Sequence, residues 1–291
     1  MIKLIVSDMD GTLLNDEKSI SPATLEAIRL AKENGIDFMV ATGRNLFEAN
    51  DTLVNAGIEC AKITGNGSRL YDENNEEVYS CGIPLELAFQ ILEVAEQNDV
   101  FIEIAMVEGV ISDNPARHEH EFKAYLNVKY PHLTDADFDT MMVMLRKVFP
   151  VREVTSYEDE IRKNPHDVLN FIFIDGSHPE KLVTLKSEVE KIGNLKAVSS
   201  DFNNLEVTHI SAGKGEGVKK IAEIRGLGFD EIATIGDNFN DIEMLQEVQY
   251  SFAMGQASDE VKSHAMFVTK SNADDGVAEA IQKIIELNQR D

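Results

Sequence analysis

Basic residues are scarce. Lysine and arginine total 27 against 52 aspartates and glutamates, which leaves a formal charge of −25 over 291 residues. A chain this acidic repels nucleic acid and anionic membranes, since both demand basic surface. Cysteine is rarer still. Cys60 and Cys81 are isolated and make no disulfide framework, which fits a reducing, cytoplasmic setting. No stretch approaches the roughly 18–20 consecutive apolar residues that a membrane-spanning helix needs. The opening run Met1–Val6 is too short for a secretory signal and leads straight into acidic residues. Internal repeats and low-complexity linkers are missing too. What remains is a composition of 43% hydrophobic and 27% charged residues, enough to bury the core of one large domain or two ordinary ones.

The first 80 residues alternate strand and helix. Lys3–Ser7 is a short β-branched run that reads as a buried parallel strand. Ser21 followed by Pro22 starts a helix that Gly35 ends, with Leu25, Ile28 and Ala31 as its apolar stripe. Asp37–Ala41 predicts a second strand, Leu46–Ala56 a helix closed by Gly57, and Ala61–Thr64 a third strand before the turn Gly65-Asn66-Gly67-Ser68. This order implies a parallel sheet with helices on both faces.

From Pro84 the pattern changes. A helix, a hairpin over Phe101–Ser112, helices near Glu119–Val128 and Thr134–Lys147, and strands at Val168–Ile174, Leu195–Val198 and Leu205–His209 suggest an α+β unit on an antiparallel sheet. The strand–helix alternation then returns from Gly215 to Leu287. The simplest organisation is an α/β core of residues 1–82 and 200–291 interrupted by a domain of residues 83–199.

Four polar clusters follow strand ends. Asp8 and Asp10 follow the first strand, and Thr42, Gly43 and Arg44 the second. Asp237, Asn240 and Asp241 follow the strand ending at Ile235, and Gly213 and Lys214 lie just beyond His209. Open parallel sheets bind ligands at the carboxyl ends of their strands, so these groups are expected on one rim. Singly each cluster is weak, because an aspartate after a strand is usually a turn residue or helix cap. Asp8-Met9-Asp10-Gly11-Thr12 is sharper. Two carboxylates two residues apart on an extended chain point the same way and repel each other unless a cation lies between them. Hard oxygen ligands of this kind suit Mg²⁺.

At these residues the chain resembles the haloacid dehalogenase superfamily. Asp8-Met9-Asp10-Gly11-Thr12 is similar to its first motif, Ala41-Thr42-Gly43-Arg44 to its second, Lys214-Gly215 to its third and Gly236-Asp237-Asn238-Phe239-Asn240-Asp241 to its fourth. The insertion resembles the C2B cap of the Cof-type subgroup, with further echoes in Leu13-Leu14, Gly65-Asn66-Gly67 and Asp275-Gly276-Val277. The resemblance implies a Rossmann-like core with an α+β cap, and a Mg²⁺-dependent phosphatase acting on small phosphorylated metabolites through an aspartyl-phosphate on Asp8.

It also implies roles. Asp8 attacks phosphorus, and Asp10 protonates the leaving oxygen and later activates water. Asp8, the Asp10 carbonyl and Asp237 hold the metal. Lys214, the Thr42 hydroxyl, the Asn240 amide and the N–H groups of Met9 and Gly43 contact the phosphoryl oxygens. Asp241 orients Lys214 or a metal-bound water. Arg44 has two readings, a substrate contact or a partner for a surface carboxylate. An acid two residues after the nucleophile favours phosphoryl transfer over attack on carbon. Sugar phosphates, nucleotides, pyridoxal phosphate and flavin precursors are the expected substrate classes, and a cap that closes over the core would exclude bulk water. A phosphomutase and a non-catalytic phosphometabolite sensor are the alternatives.

Other features are discounted. His118-Glu119-His120-Glu121 is expected to be a solvated helix face, because residues at i and i+2 point about 200° apart on a helix. Met141, Met142 and Met144 are expected to fill core, His209 and His264 to be structural, and Asp274 and Asp275 to cap the last helix.

Overall fold

The computed structural model describes residues 1–148, 151–199 and 202–289, with the side chains of 135 and 144–148 outside that description. The chain divides into two compact units, Met1–Cys81 with Ser211–Asp291 and Gly82–Ile210.

The first unit begins with β1 (Leu4–Asp8), α1 (Pro22–Glu33), β2 (Asp37–Ala41), α2 (Leu46–Asn55), β3 (Ala61–Thr64), β4 (Arg69–Tyr71) and β5 (Glu77–Ser80). Ser21 accepts the Thr24 N–H at the start of α1, with Pro22 just inside, as the Ser-Pro pair predicts. The second unit contains α3 (Leu85–Asn98), β6 (Phe101–Met106), β7 (Gly109–Ser112), α4 (Pro115–Lys129), α5 (Asp135–Val148), β8 (Val151–Glu153), α6 (Tyr157–Lys163), β9 (Val168–Ile174), α7 (Glu180–Ile192), β10 (Leu195–Val198) and β11 (Asn204–His209). The chain then completes the first unit with α8 (Lys214–Arg225), β12 (Ile232–Gly236), α9 (Ile242–Glu247), β13 (Tyr250–Ala253), α10 (Asp259–Ser263), β14 (Phe267–Val268) and α11 (Gly276–Asn288).

The first unit is built on an eight-stranded sheet of order β14-β13-β12-β1-β2-β3-β4-β5. Its strands are parallel from β14 to β3, and β4 and β5 extend it antiparallel. β1 is central and wholly buried. Its alternate side chains feed two cores. Ile5 joins Phe38, Val40, Ile235 and Ile281 on one face, while Leu4 and Val6 join Met39, Val218 and Met244 on the other. That two-sided burial explains the unbroken apolar run. β4 and β5 are only three and four residues long, too short to show a periodicity in the sequence.

The second unit is a six-stranded sheet of order β10-β11-β9-β6-β7-β8, antiparallel except where β7 meets β8. Phe171 and Phe173 of β9 enter a core with Ile91 of α3, Ile161 of α6 and Leu185 of α7.

One boundary differs. The strand ending at His209 reads as part of the antiparallel stretch, yet the expected core resumes at residue 200, before that strand. β11 pairs antiparallel with β9 and β10, and the units divide between Ile210 and Ser211. Its alternating burial suits a half-exposed antiparallel strand, unlike the wholly buried β1. Lys214 is therefore placed by the first turn of α8, not by a strand end.

The acidic-histidine run of α4 also differs from a solvated face. His120 is exposed, but His118 Nδ1 lies 2.7 Å from Glu103 Oε1, and buried Glu121 accepts the Gly176 N–H. Met142 is buried, and Met144 lies outside the described side chains.

Candidate active site

Strand register brings the clusters of the first unit together. β1 pairs Asp8 with Ala41 of β2, and Ser7 with Ile235 of β12. Thr42 and Asp237 therefore follow at the same sheet edge as the Asp8 carboxylate. Asp8 is only 5% exposed.

The Lys214 ammonium, itself 1% exposed, donates to Asp8 Oδ1 at 2.5 Å and to Asp241 Oδ1 at 2.7 Å. The other Asp241 oxygen accepts the N–H groups of Asp237 at 2.9 Å and Asn238 at 3.0 Å. Asp241 thus spends both oxygens on holding Lys214 and the β12 exit loop. Burial acts against the Lys214 charge, but the two carboxylates outweigh it and raise its pKa above the ordinary lysine value. The ammonium is a fixed positive charge.

Asp237 completes the cluster. Carboxylate oxygens of Asp8, Asp237 and Asp241 all lie within 4.8 Å of one another. Burial pushes the Asp8 carboxyl well above the usual range, with Lys214 pulling it back and Asp241 and Asp237 pushing with burial. Burial, against the pull of the Thr12 hydroxyl, likewise raises Asp237. Three carboxylates against one ammonium leave two negative charges uncompensated. A divalent cation matches that deficit, and its field would restore the ionised forms. The donor set, all hard oxygen, therefore fits Mg²⁺.

Gly11 sits at φ +84°, and a Cβ there would lie 2.6 Å from Asp237 Oδ2, so the turn after Asp8 requires glycine. The next residue, Thr12, donates its hydroxyl to Asp237 Oδ1 at 2.7 Å.

Asp10 lies at the rim, its side chain 41% exposed. Arg44 grips it with two parallel bonds, Nε to Oδ2 at 2.7 Å and Nη2 to Oδ1 at 2.8 Å, and Lys18 adds a third at 3.2 Å. Partial burial raises the Asp10 carboxyl, but the hydrogen bonds and charge of Arg44 and Lys18 outweigh it and hold it below the usual range. Of the two readings of Arg44, this geometry shows the ion pair, with Asp10 as the carboxylate.

The remaining expected contacts surround the turn after β3. Asn66, at φ 52°, donates its N–H to the Thr42 carbonyl at 3.0 Å, and its side-chain oxygen accepts from Asn240 Nδ2 at 3.1 Å. A Cβ on Gly43 would touch the Asn66 amide at 3.2 Å. The Thr42 hydroxyl accepts the Arg44 N–H at 3.1 Å. The Met9 side chain is in the core, so only its backbone is on hand for a ligand.

Thr12 and Asn66 are members of the site that sequence reasoning passed over. Thr12 lay inside the first motif and was given no partner; Asn66 read as a turn and an echo of the family, with no role. Asp275 corrects another expectation. It makes no side-chain cap on α11 and instead accepts the Ser21 hydroxyl at 2.5 Å.

Comparison with known proteins identifies the family. The family model for haloacid dehalogenase-like hydrolases matches residues 5–281. A 5-amino-6-(5-phospho-D-ribitylamino)uracil phosphatase of Bacillus subtilis is 29% identical, covering 97% of this chain and 95% of its own. A pyridoxal phosphate phosphatase of Escherichia coli is 24% identical, over 96% of this chain and 97% of its own. A solved haloacid dehalogenase-like hydrolase from B. subtilis superposes with a TM-score of 0.80 at 26% identity, over 97% of this chain and 99% of that one. The fold is accordingly a parallel-sheet core with an inserted cap domain, and the chain belongs to the haloacid dehalogenase-like hydrolases as a phosphoric monoester hydrolase.

Proposed function

We propose that the protein is a Mg²⁺-dependent phosphatase of small phosphorylated metabolites in which Asp8 is the nucleophile. The observation that carries this reading is the buried Lys214 ammonium bonded to Asp8 Oδ1 and Asp241 Oδ1 beside the Asp237 carboxylate. A nucleophilic carboxylate beside a fixed cation and a third carboxylate is suited to an incoming phosphoryl group and not to a neutral carbonyl.

Asp8, the Asp10 carbonyl and Asp237 would hold the cation, which offsets charge on the phosphoryl oxygens when bound. Asp8 attacks phosphorus, forming an aspartyl-phosphate as the bond to the leaving oxygen breaks. Asp10 gives that oxygen a proton and then takes one from the water that cleaves the aspartyl-phosphate. Asp10 is ionised while Arg44 grips it, so donating a proton requires Arg44 to let go. Lys214, Thr42, Asn240 and the N–H groups of Met9 and Gly43 bind the phosphoryl oxygens.

Substrates of the relatives' chemical kind, a phosphorylated ribityl-pyrimidine or pyridoxal phosphate, head the panel to screen. Specificity is assigned to the cap. The segments Asp113–His118 and Val168–Asp175 stand as candidates, with Asp175 Oδ1 accepting the Ser177 and His178 N–H groups.

Turnover of p-nitrophenyl phosphate with Mg²⁺ tests the reading, and Asp8→Asn and EDTA should each abolish it. Hexose phosphate isomerised without release of inorganic phosphate would replace the hydrolase with a mutase. Wild type as inactive as Asp8→Asn across a broad panel would leave a sensor.

A further inference from the structure

The turn that follows the nucleophile is held from a distant part of the chain. Gly11 offers its carbonyl to Gln256 Nε2 at 2.5 Å. The other end of that amide, Gln256 Oε1, accepts the Asn272 N–H at 3.1 Å. The Asn272 side chain in turn donates Nδ2 to the Leu14 carbonyl at 3.1 Å and to Asp16 Oδ1 at 3.4 Å. Two uncharged amides thus bind both ends of the segment Gly11–Leu14 from loops more than 240 positions away. Each role is specific to an amide. Position 256 must donate on one side and accept on the other, and position 272 must donate to a carbonyl; a carboxylate of the same shape fails at both.

The opposite side of this turn faces the cation cluster. Thr12 donates to Asp237 Oδ1, and Gly11 closes on the Asp237 carboxylate with no room for a side chain. The Asp10 carbonyl belongs to the peptide that enters Gly11. Anything that fixes Gly11 and Leu14 therefore fixes Thr12 against Asp237 and sets the direction of the Asp10 carbonyl. Gln256 is exposed and Asn272 half-buried, so neither amide is needed to fill core.

We propose that Gln256 and Asn272 are positioning residues that clamp the Gly11–Leu14 turn, and through Thr12 the Asp237 carboxylate, in the geometry that receives the metal and the phosphoryl group. The proposal rests on the phosphatase reading for its kinetic consequence, but the clamp is measurable without turnover.

The test compares wild type with Gln256→Ala, Gln256→Glu, Asn272→Ala, Asn272→Asp and the double variant Gln256→Ala/Asn272→Ala. Outer partners of metal sites typically contribute about 10–100-fold to affinity or activity. Expected are a fall of about that size in kcat on p-nitrophenyl phosphate with KM little changed, weaker Mg²⁺ binding by titration calorimetry, faster hydrogen exchange at the Thr12–Leu14 amides, and an unchanged Tm. The double variant should lose less than the product of the single losses, because the two amides act as one chain of bonds. Unchanged kcat, Mg²⁺ affinity and exchange would overturn the proposal. So would losses that merely track a lowered Tm, since that is a structural role. If wild type turns over no phosphate ester, the phosphatase reading fails separately. Exchange and calorimetry then decide, with faster exchange and weaker Mg²⁺ binding supporting the clamp and unchanged values overturning it.

Discussion

Position 214 buries a lysine because two carboxylates receive it. Breaking a buried ion pair outright costs about 3–5 kcal/mol. Asp241→Ala leaves Lys214 bonded to Asp8 and relieves repulsion between carboxylates, so it is expected to lower stability by less than that amount, read by urea denaturation, the loss arising largely from the unpaired Asp237 and Asn238 N–H groups. Asp10→Ala should cost about 10²–10⁴ in kcat with a near-normal Tm, as general acid–base groups do. Asp10 also predicts a pH effect. Arg44 and Lys18 hold its folded pKa below the unfolded value. Its ion pair therefore stabilises fully above the ordinary carboxylate pKa of about 4, and that contribution is lost as pH falls through the lower folded value. Arg44→Ala should be less stable than wild type by no more than about 1 kcal/mol at pH 7, because the pair is partly exposed. The gap should close in acid, which thermal melts from pH 7 to pH 3 would show. Burial pushes the Cys60 thiol up to about 11, so it should stay unlabelled by iodoacetamide at pH 8 until the chain unfolds.

At the scale of elements, the turn after β3 and the start of α8 are locked together. A Cβ on Gly67, which sits at φ +93°, would meet the Gly213 carbonyl oxygen at 2.0 Å. Gly67→Ala must strain the backbone and push away the residue before Lys214. The expected cost is about 1–3 kcal/mol together with a fall in kcat, measured by Tm and steady-state kinetics. Neighbouring elements show which features sequence could reveal. The helix start at Ser21-Pro22 was legible because a cap is local chemistry. The partner of Asp275 was not, because the Ser21 hydroxyl that it accepts comes from the far end of the chain. β11 was legible as a strand of the antiparallel stretch, but the point where the chain returns to the first unit was not, because Ile210 and Ser211 carry no local boundary signal.

The whole molecule carries −25 formal charges yet is read as taking an anionic substrate. Long-range repulsion should slow encounter at low salt and relax as the Debye length shrinks from about 30 Å at 0.01 M to about 10 Å at 0.1 M. At saturating Mg²⁺, kcat/KM for a phosphate monoester should therefore rise with NaCl over that range; a fall would mean that the positive charge of the site dominates steering. The second unit has its own sheet and its own apolar core around Phe171 and Phe173. Residues 82–210 expressed alone should fold cooperatively, as dispersed amide resonances and a single thermal transition would show.

Local order pointed to a group. Carboxylates, glycine and threonine directly after a buried β-branched run, repeated after other strands, put Asp8, Asp10, Thr42 and Asp237 on one expected rim, and the family resemblance supplied Lys214 and the expected roles. In a parallel sheet, a residue's place relative to its strand end is also its place in space. Only the tertiary structure decided which side chains hold those residues in position. Thr12 on Asp237, Asn66 on Asn240, Arg44 on Asp10 and Gln256 on Gly11 join residues from 34 to 245 positions apart. Such bonds depend on loop paths and strand register, for which a linear pattern of polar residues has no local signal.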